Sequence, residues 1–449
     1  MFNANSSLQK YIIVYVFAFI FFVDISFICP RINASGDENN ILNNQRLVEQ
    51  SFDTLDVFRF PHCSKGVYVL SEDLDLRGRI CLIPTGVIIK SGKGRIKNGI
   101  LVGQNTRVLY NEAVFDNVTI GGSWIIPVIK SSLFNDLSYE NSLRDVIALT
   151  NPTVHNKVII HKGLYHVKSE INEDACLKLN SNTQLILDGT IKIEPNAFTD
   201  YDIIRIEGEN IDVKGNGTII GDKFAHLSKD GEWGMGIRVQ KSRNISIKGL
   251  KVKNCWGDCI YVGRGSENVI IENCVLDHGR RQGISVTKAS RVVIRNCKIS
   301  NVGGTLPEYA IDVEPNPGES AVNIVINSVE VNNCKGGFLV YGRGQNAYVG
   351  AVTIRNCIIS GIEKNAVCIL ACDRAVLNNC RIYKQQTPQV IRCEEVNSLE
   401  LRNNTFCYNN SLLNPIKKAA RNIVGNSPEE PILIMHCDKI SVKNNKEVK

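Results

Sequence analysis

One kind of short strand recurs through this chain and limits what it can fold into. Gly236-Ile237-Arg238-Val239, Cys259-Ile260-Tyr261-Val262, Gly283-Ile284-Ser285-Val286, Ala310-Ile311-Asp312-Val313, Gly337-Phe338-Leu339-Val340 and Ala366-Val367-Cys368-Ile369 follow one another in steps of 23, 24, 27, 27 and 29 residues. That period is too short for a propeller blade and suits one coil of an all-β solenoid. A chain of 449 residues is long enough for several globular domains, but a solenoid adds its core coil by coil, so length forces no division. Roughly 290 residues at this period give about ten to twelve coils.

Cysteines follow the same register. Cys274, Cys297, Cys357 and Cys380 each come after an Asn at one point of the repeat, and Cys255 and Cys334 come after an Asn at a second point. Equivalent points of successive coils stack about 4.8 Å apart. The 16 cysteines are therefore expected mainly as small apolar fillers of an interior stack, beside a ladder of Asn side chains in the adjacent turn. No CxxC pair with a matching partner pair occurs, so no metal site is expected.

The remainder divides as follows. Lys10 precedes the apolar run Tyr11 to Val23, too short to span a bilayer comfortably, so residues 1–28 read as a secretory signal peptide. An uncleaved N-terminal anchor and lipidation of Cys29 are the alternatives, and a secreted, periplasmic or cell-surface location follows. A polar, Asn-rich stretch covers 29–50, and an irregular β region, either first coils or a small separate domain, covers 51–123. The connector 124–156 contains Leu143, Val146, Ile147 and Leu149 at helical spacing behind Asn141, which predicts a short helix capping the solenoid edge. Coils occupy 157–449, with Asp222 to Glu232 looping out. The net charge of +7 is spread without a basic run or basic helix, which argues against nucleic acid and is compatible with an acidic polysaccharide.

Within each repeated strand the Ile and Val share the interior face, so the residue between them and the one two further on point outward. Asp312 and Glu314 are thus neighbours on the exposed face, roughly 6.6 to 7 Å apart along the strand, near the lower end of the acid–base separation of an inverting glycosidase. Solvated carboxylates and a calcium site are the plain alternatives. His278, Arg280 and Arg281 lie in the turn before Gly283 and are candidates to meet an acidic sugar, together with Gln282, Tyr309 and Arg238, a simply solvated basic turn being the alternative. Trp233, Trp256, Tyr261 and Tyr341 lie near strand ends where a sugar ring can stack, and packing between coils is the equal alternative.

The run Asn254-Cys255-Trp256-Gly257-Asp258-Cys259-Ile260, followed one coil later by Arg281-Gln282-Gly283-Ile284, resembles the polygalacturonase family of glycoside hydrolases. The resemblance implies a right-handed parallel β-helix and cleavage of pectin-like chains by inversion, with Asp258 at the position of the family's general acid. The family's other positions differ here: Met235 replaces its first Asp, Gly257 the first member of its Asp-Asp pair and Gln282 its His, while Asp312 stands where a substrate-binding Arg falls. The segment Ile311-Asp312-Val313-Glu314-Pro315-Asn316 also resembles bacterial right-handed β-helix proteins, which implies secretion and carbohydrate handling.

The expected function is hydrolysis of an acidic, uronate-containing polysaccharide by a monomeric secreted protein, with Asp258, Asp312 and Glu314 as catalytic carboxylates and no cofactor. A lyase or C5-epimerase on the same scaffold is the alternative chemistry, and a calcium ion would enter only there. A non-catalytic glycan binder or adhesin is the alternative of a different class.

Overall fold

The computed structural model describes residues 57–60, 65–138, 142–169, 175–383, 390–407 and 432–448. The expected signal peptide, the polar stretch 29–50, Cys29 and the helix cap Asn141 lie outside them. Residues 58–449 form one compact unit.

Each coil contributes strands to three parallel columns. The first column carries the repeated motif and is numbered here from Asp200–Ile206 (β1), through Trp233–Gln240 (β2), Ile260–Gly263 (β3), Ile284–Val286 (β4), Tyr309–Val313 (β5) and Gly336–Tyr341 (β6), to Val367–Asn378 (β7) and Ile391–Arg402 (β8). Ile204, Ile237, Ile260, Ile284, Ile311, Phe338, Val367 and Ile391 stand opposite one another in unbroken register. The second column repeats Val269, Val292 and Ile324 opposite one another, and the third repeats Leu276, Ile299 and Val331. All these pairs are parallel, and their apolar side chains are buried in a single interior. Parallel strands buried on the inner face need β-branched side chains that fill a pleated surface, which is what the repeat supplies.

Turns between the columns are built on Asn. Asn182, Asn210, Asn244 and Asn268 all adopt a left-handed backbone, with φ between 57° and 60°, which Asn tolerates far better than branched residues. Their amides bond coil to coil at 3.3, 3.0 and 2.7 Å. The Asn ladder is thus longest in the turn between the first and second columns. In the turn beside the cysteines, Asn379 donates to Asn356 at 2.8 Å. Cys274, Cys297, Cys357 and Cys380 are buried and free, and each donates its thiol to a carbonyl one coil earlier, at 3.8 to 3.9 Å. Every cysteine among the described residues is free.

The N-terminal β region also pairs in parallel, Gly66 with Val87, Ile88 with Arg107 and Ile96 with Phe115. Its core residues Phe115, Ile120 and Trp124 belong to the same hydrophobic cluster as the coils. Between them lies the helix Ser142–Ala148 (α1), which buries Leu143, Val146 and Ile147 and packs against Phe115–Ile125 on one side and Ala175–Leu179 on the other. Arg144 reaches from the helix to the carbonyl of Cys176 at 2.9 Å, supplying a donor to a first-column strand that pairs with β1 on its other edge.

Candidate functional site

Outward positions of the first column converge because the coils are in register. Tyr261, Ser285, Asp312 and Leu339 stand opposite one another on β3 to β6. Asp258 and Gln282 lie in the segments just ahead of β3 and β4 and meet the outward residues directly, Asp258 through Ser285 and Gln282 through Asp312. Stacking therefore gathers side chains far apart in sequence into one small polar group.

Asp258 is fully buried. Its Oδ2 accepts from the Ser285 hydroxyl at 2.7 Å and lies 3.5 Å from Arg281 Nη1, while its Oδ1 has no donor. Burial pushes its pKa up against the pull of Arg281 and Ser285. Asp312 is 2% exposed, accepts from Gln282 Nε2 at 3.0 Å through Oδ2, and also has an Oδ1 without a donor. The Gln282 amide is oriented by its other end, which accepts the Tyr309 N–H at 2.7 Å. Burial drives the Asp312 carboxyl well above the usual carboxylate range, and Glu314 two residues along raises it further, with Arg281 opposing. A buried oxygen that lacks a donor and faces a second carboxylate is where a retained proton belongs.

Arg281 is the cation of this group. It is half-buried, carries the charges of Asp258, Asp312, Glu232 and Glu314 around it, and approaches Glu232 Oε2 at 3.8 Å. Two adjoining depressions open above it. One of about 200 Å³ is lined by Ser285, Asp312, Glu314 and Tyr341. The other, of about 380 Å³, is lined by Trp233, Arg238, Tyr261, Arg264 and Glu319. They share Arg281, Thr287 and Asn316, so together they form a groove across several coils. A further depression of about 350 Å³, beside α1, holds no carboxylate.

Of the residues singled out from sequence, Asp258, Asp312, Glu314, Arg281 and Gln282 meet here, and Tyr261 lines the groove with its hydroxyl on Thr287 at 2.8 Å. Others are placed differently. Trp256 cannot offer a face to a sugar, because His226 covers one at 3.9 Å between ring centres and the Arg280 guanidinium lies 3.7 Å over its ring. Arg280 is committed to that stack and to the Gly231 carbonyl at 2.9 Å. His278 pairs with Asp277 at 2.7 Å and meets the edge of Phe224. Arg238 is 5% exposed and neutralised by Asp200 and by Asp202 at 2.7 Å, so it forms floor rather than an open cation. Tyr309 turns its ring into an apolar cluster with Leu339, Cys368 and Leu370, lying over Gly336 so closely that a Cβ there would meet the ring at 2.4 Å.

Sequence reading missed Glu232, Asp200, Asp202 and Arg264. Glu232 lies in the segment that leaves the repeat, where periodicity carries no information, and Asp200 and Asp202 precede the first clear copy of the motif. No group of three His, Cys, Asp or Glu side chains able to hold a metal occurs among the described residues.

A sequence profile described as a right handed beta helix region matches residues 166–313 and 196–350. With the three parallel columns, this defines the fold as a right-handed parallel β-helix. The chain is 30% identical over 162 residues to the SPbeta prophage-derived uncharacterized protein YorA of Bacillus subtilis, a match covering 31% of this chain and 28% of that protein. It is 26% identical over 146 residues to the exopolygalacturonase clone GBGA483 of Arabidopsis thaliana, covering 28% of this chain and 31% of that relative. The matches thus span about a third or less of these curated relatives. Among solved structures, the hyperthermoactive exopolygalacturonase from Thermotoga maritima is similar over 61% of this chain and 78% of that one, at 16% identity and a TM-score of 0.46.

Proposed function

We infer that this chain is a carbohydrate-active enzyme of the cell exterior that hydrolyses glycosidic bonds in an acidic, uronate-containing polysaccharide. The observation that carries the reading is the state of Asp312: a groove-lining carboxyl, buried, with one oxygen lacking any donor and Glu314 beside it. Burial and the neighbouring Glu314 favour the protonated form of this carboxyl, and a protonated carboxyl is suited to protonate the leaving oxygen of a glycoside. Gln282 fixes its orientation from below. Asp258 holds Arg281 at the groove floor, and Arg281 and the solvent-exposed Arg264 give the groove a positive component that a uronate carboxylate would meet.

The test is incubation of the full chain with a panel of uronate-containing polymers, following new reducing ends and the ultraviolet absorbance of unsaturated uronate. Reducing ends without absorbance are expected. Both signals together would assign the site to elimination, and binding without either would make the protein a glycan binder.

A further inference from the structure

Asp312 as proton donor leaves half of a hydrolysis unassigned. A second carboxylate must take the proton from the attacking water, on the far side of the sugar from the donor. Glu314 is poorly placed for this, because it sits beside Asp312 on the same strand end and acts to hold that proton. Asp258 is sealed at the floor and pushed toward its protonated form. The resembling family draws its water-activating carboxylates from positions occupied here by Met235 and Gly257.

Glu232 reaches the group by another route. It stands at the end of the Asp222 to Glu232 excursion, just ahead of β2 and next to Trp233, which lines the larger depression, with its side chain one-third exposed and its carboxylate 3.8 Å from Arg281 Nε. Gly257 shows how this part of the chain is seated. A Cβ at residue 257 would meet the Glu232 carbonyl oxygen at 2.6 Å and the Gly234 nitrogen at 2.9 Å, and the Gly257 N–H donates to the Gly234 carbonyl at 2.8 Å. Backbone arriving from the excursion therefore occupies the space into which a side chain at 257 would project. Arg281 Nε and the Oδ1 atoms of Asp258 and Asp312 are buried polar atoms without hydrogen-bond partners, and Arg281 and Asp312 both line the smaller depression, which marks it as a place for a polar ligand.

We propose that Glu232 is the general base of this site, activating the water that attacks the anomeric carbon while Asp312 protonates the leaving oxygen. The water oxygen bonds to the anomeric carbon as its proton passes to the Glu232 carboxylate. The glycosidic carbon–oxygen bond breaks, its electron pair goes to the leaving oxygen, and that oxygen takes the Asp312 proton. Arg281 lies 3.8 Å from the Glu232 carboxylate and its charge acts on Asp312, whose orientation Gln282 sets. This assignment rests on the hydrolase reading above.

The test compares wild type, Glu232→Gln and Glu232→Asp on the responsive polymer, by reducing-end release across pH, with thermal unfolding of each protein. Glu232→Gln should lower kcat by roughly 10²- to 10⁴-fold with KM changed little, and recover in part with added azide or formate. Glu232→Asp should keep part of the rate. A Glu232→Gln enzyme within threefold of wild-type kcat, or one altered only in KM or unfolding temperature, overturns the assignment and leaves the hydrolase reading standing. A wild type that releases no reducing ends overturns both.

Discussion

Burial decides how the acidic residues of the first column behave. Asp202 receives Arg205 at 2.6 Å and Arg238 at 2.7 Å, yet desolvation outweighs both cations and pushes its pKa up to about 6 from 3.8. The folded-state value lies above the unfolded one, so the stability it contributes is complete below about pH 4 and lost as pH rises to about 6. The shift corresponds to an increment on the order of 3 kcal/mol. In paired denaturant titrations, wild type should therefore lose stability relative to Asp202→Asn across that interval, whereas a pH-independent difference would contradict the placement. The same physics makes Asp312 legible only in part from sequence. Its outward position follows from alternation with Ile311 and Val313, but its burial and its raised pKa arise from neighbours on other segments, Gln282 and Arg281 among them, which one strand cannot reveal. Trp256 and Arg280 show the reverse: an aromatic and a cation near a strand end look open in sequence, but His226, carried in by the excursion, stacks on Trp256 and Arg280 lies over the same ring.

At the scale of the element, strands were readable and turns less so. Alternating Ile and Val at a constant interval specifies both the interior face and the register, since a one-residue slip would expose every apolar side chain. The connecting turns depend on backbone conformations that composition only hints at, and the Asn run at 182, 210, 244 and 268 is the clearest instance. Asn244 is exposed, so its worth lies in its φ of 58° and its two ladder bonds. Replacing it with Ala forces a Cβ residue into the left-handed region, at about 1–2 kcal/mol, whereas Gly adopts that region freely and forfeits only the side-chain bonds. Urea unfolding should rank the wild type above Asn244→Gly and Asn244→Ala lowest; equal losses would mean that the turn does not depend on the left-handed conformation. The helix α1 follows from the spacing of Leu143, Val146 and Ile147, and its Arg144 bond to the edge strand adds a contact that spacing does not predict.

Over the whole molecule, the solenoid turns separation in sequence into proximity. Glu232, Asp258, Arg281 and Asp312 come from four successive passages of the chain, yet coils stacked about 4.8 Å apart gather the three carboxylates around Arg281. A scaffold of this type rests on contacts between adjacent coils, so outward positions can change while the interior repeat is kept. That freedom explains why the fold is plain in the sequence and the chemistry is not: the Ile and Val columns are uniform from β2 to β5, whereas the outward residues change from coil to coil. The most direct test of the account is the rate of reducing-end release by Asp312→Asn against wild type on the responsive polyuronate, with folding verified by circular dichroism. Loss of kcat by roughly 10²- to 10⁴-fold in a folded protein is the predicted result, and full activity in the variant would contradict it.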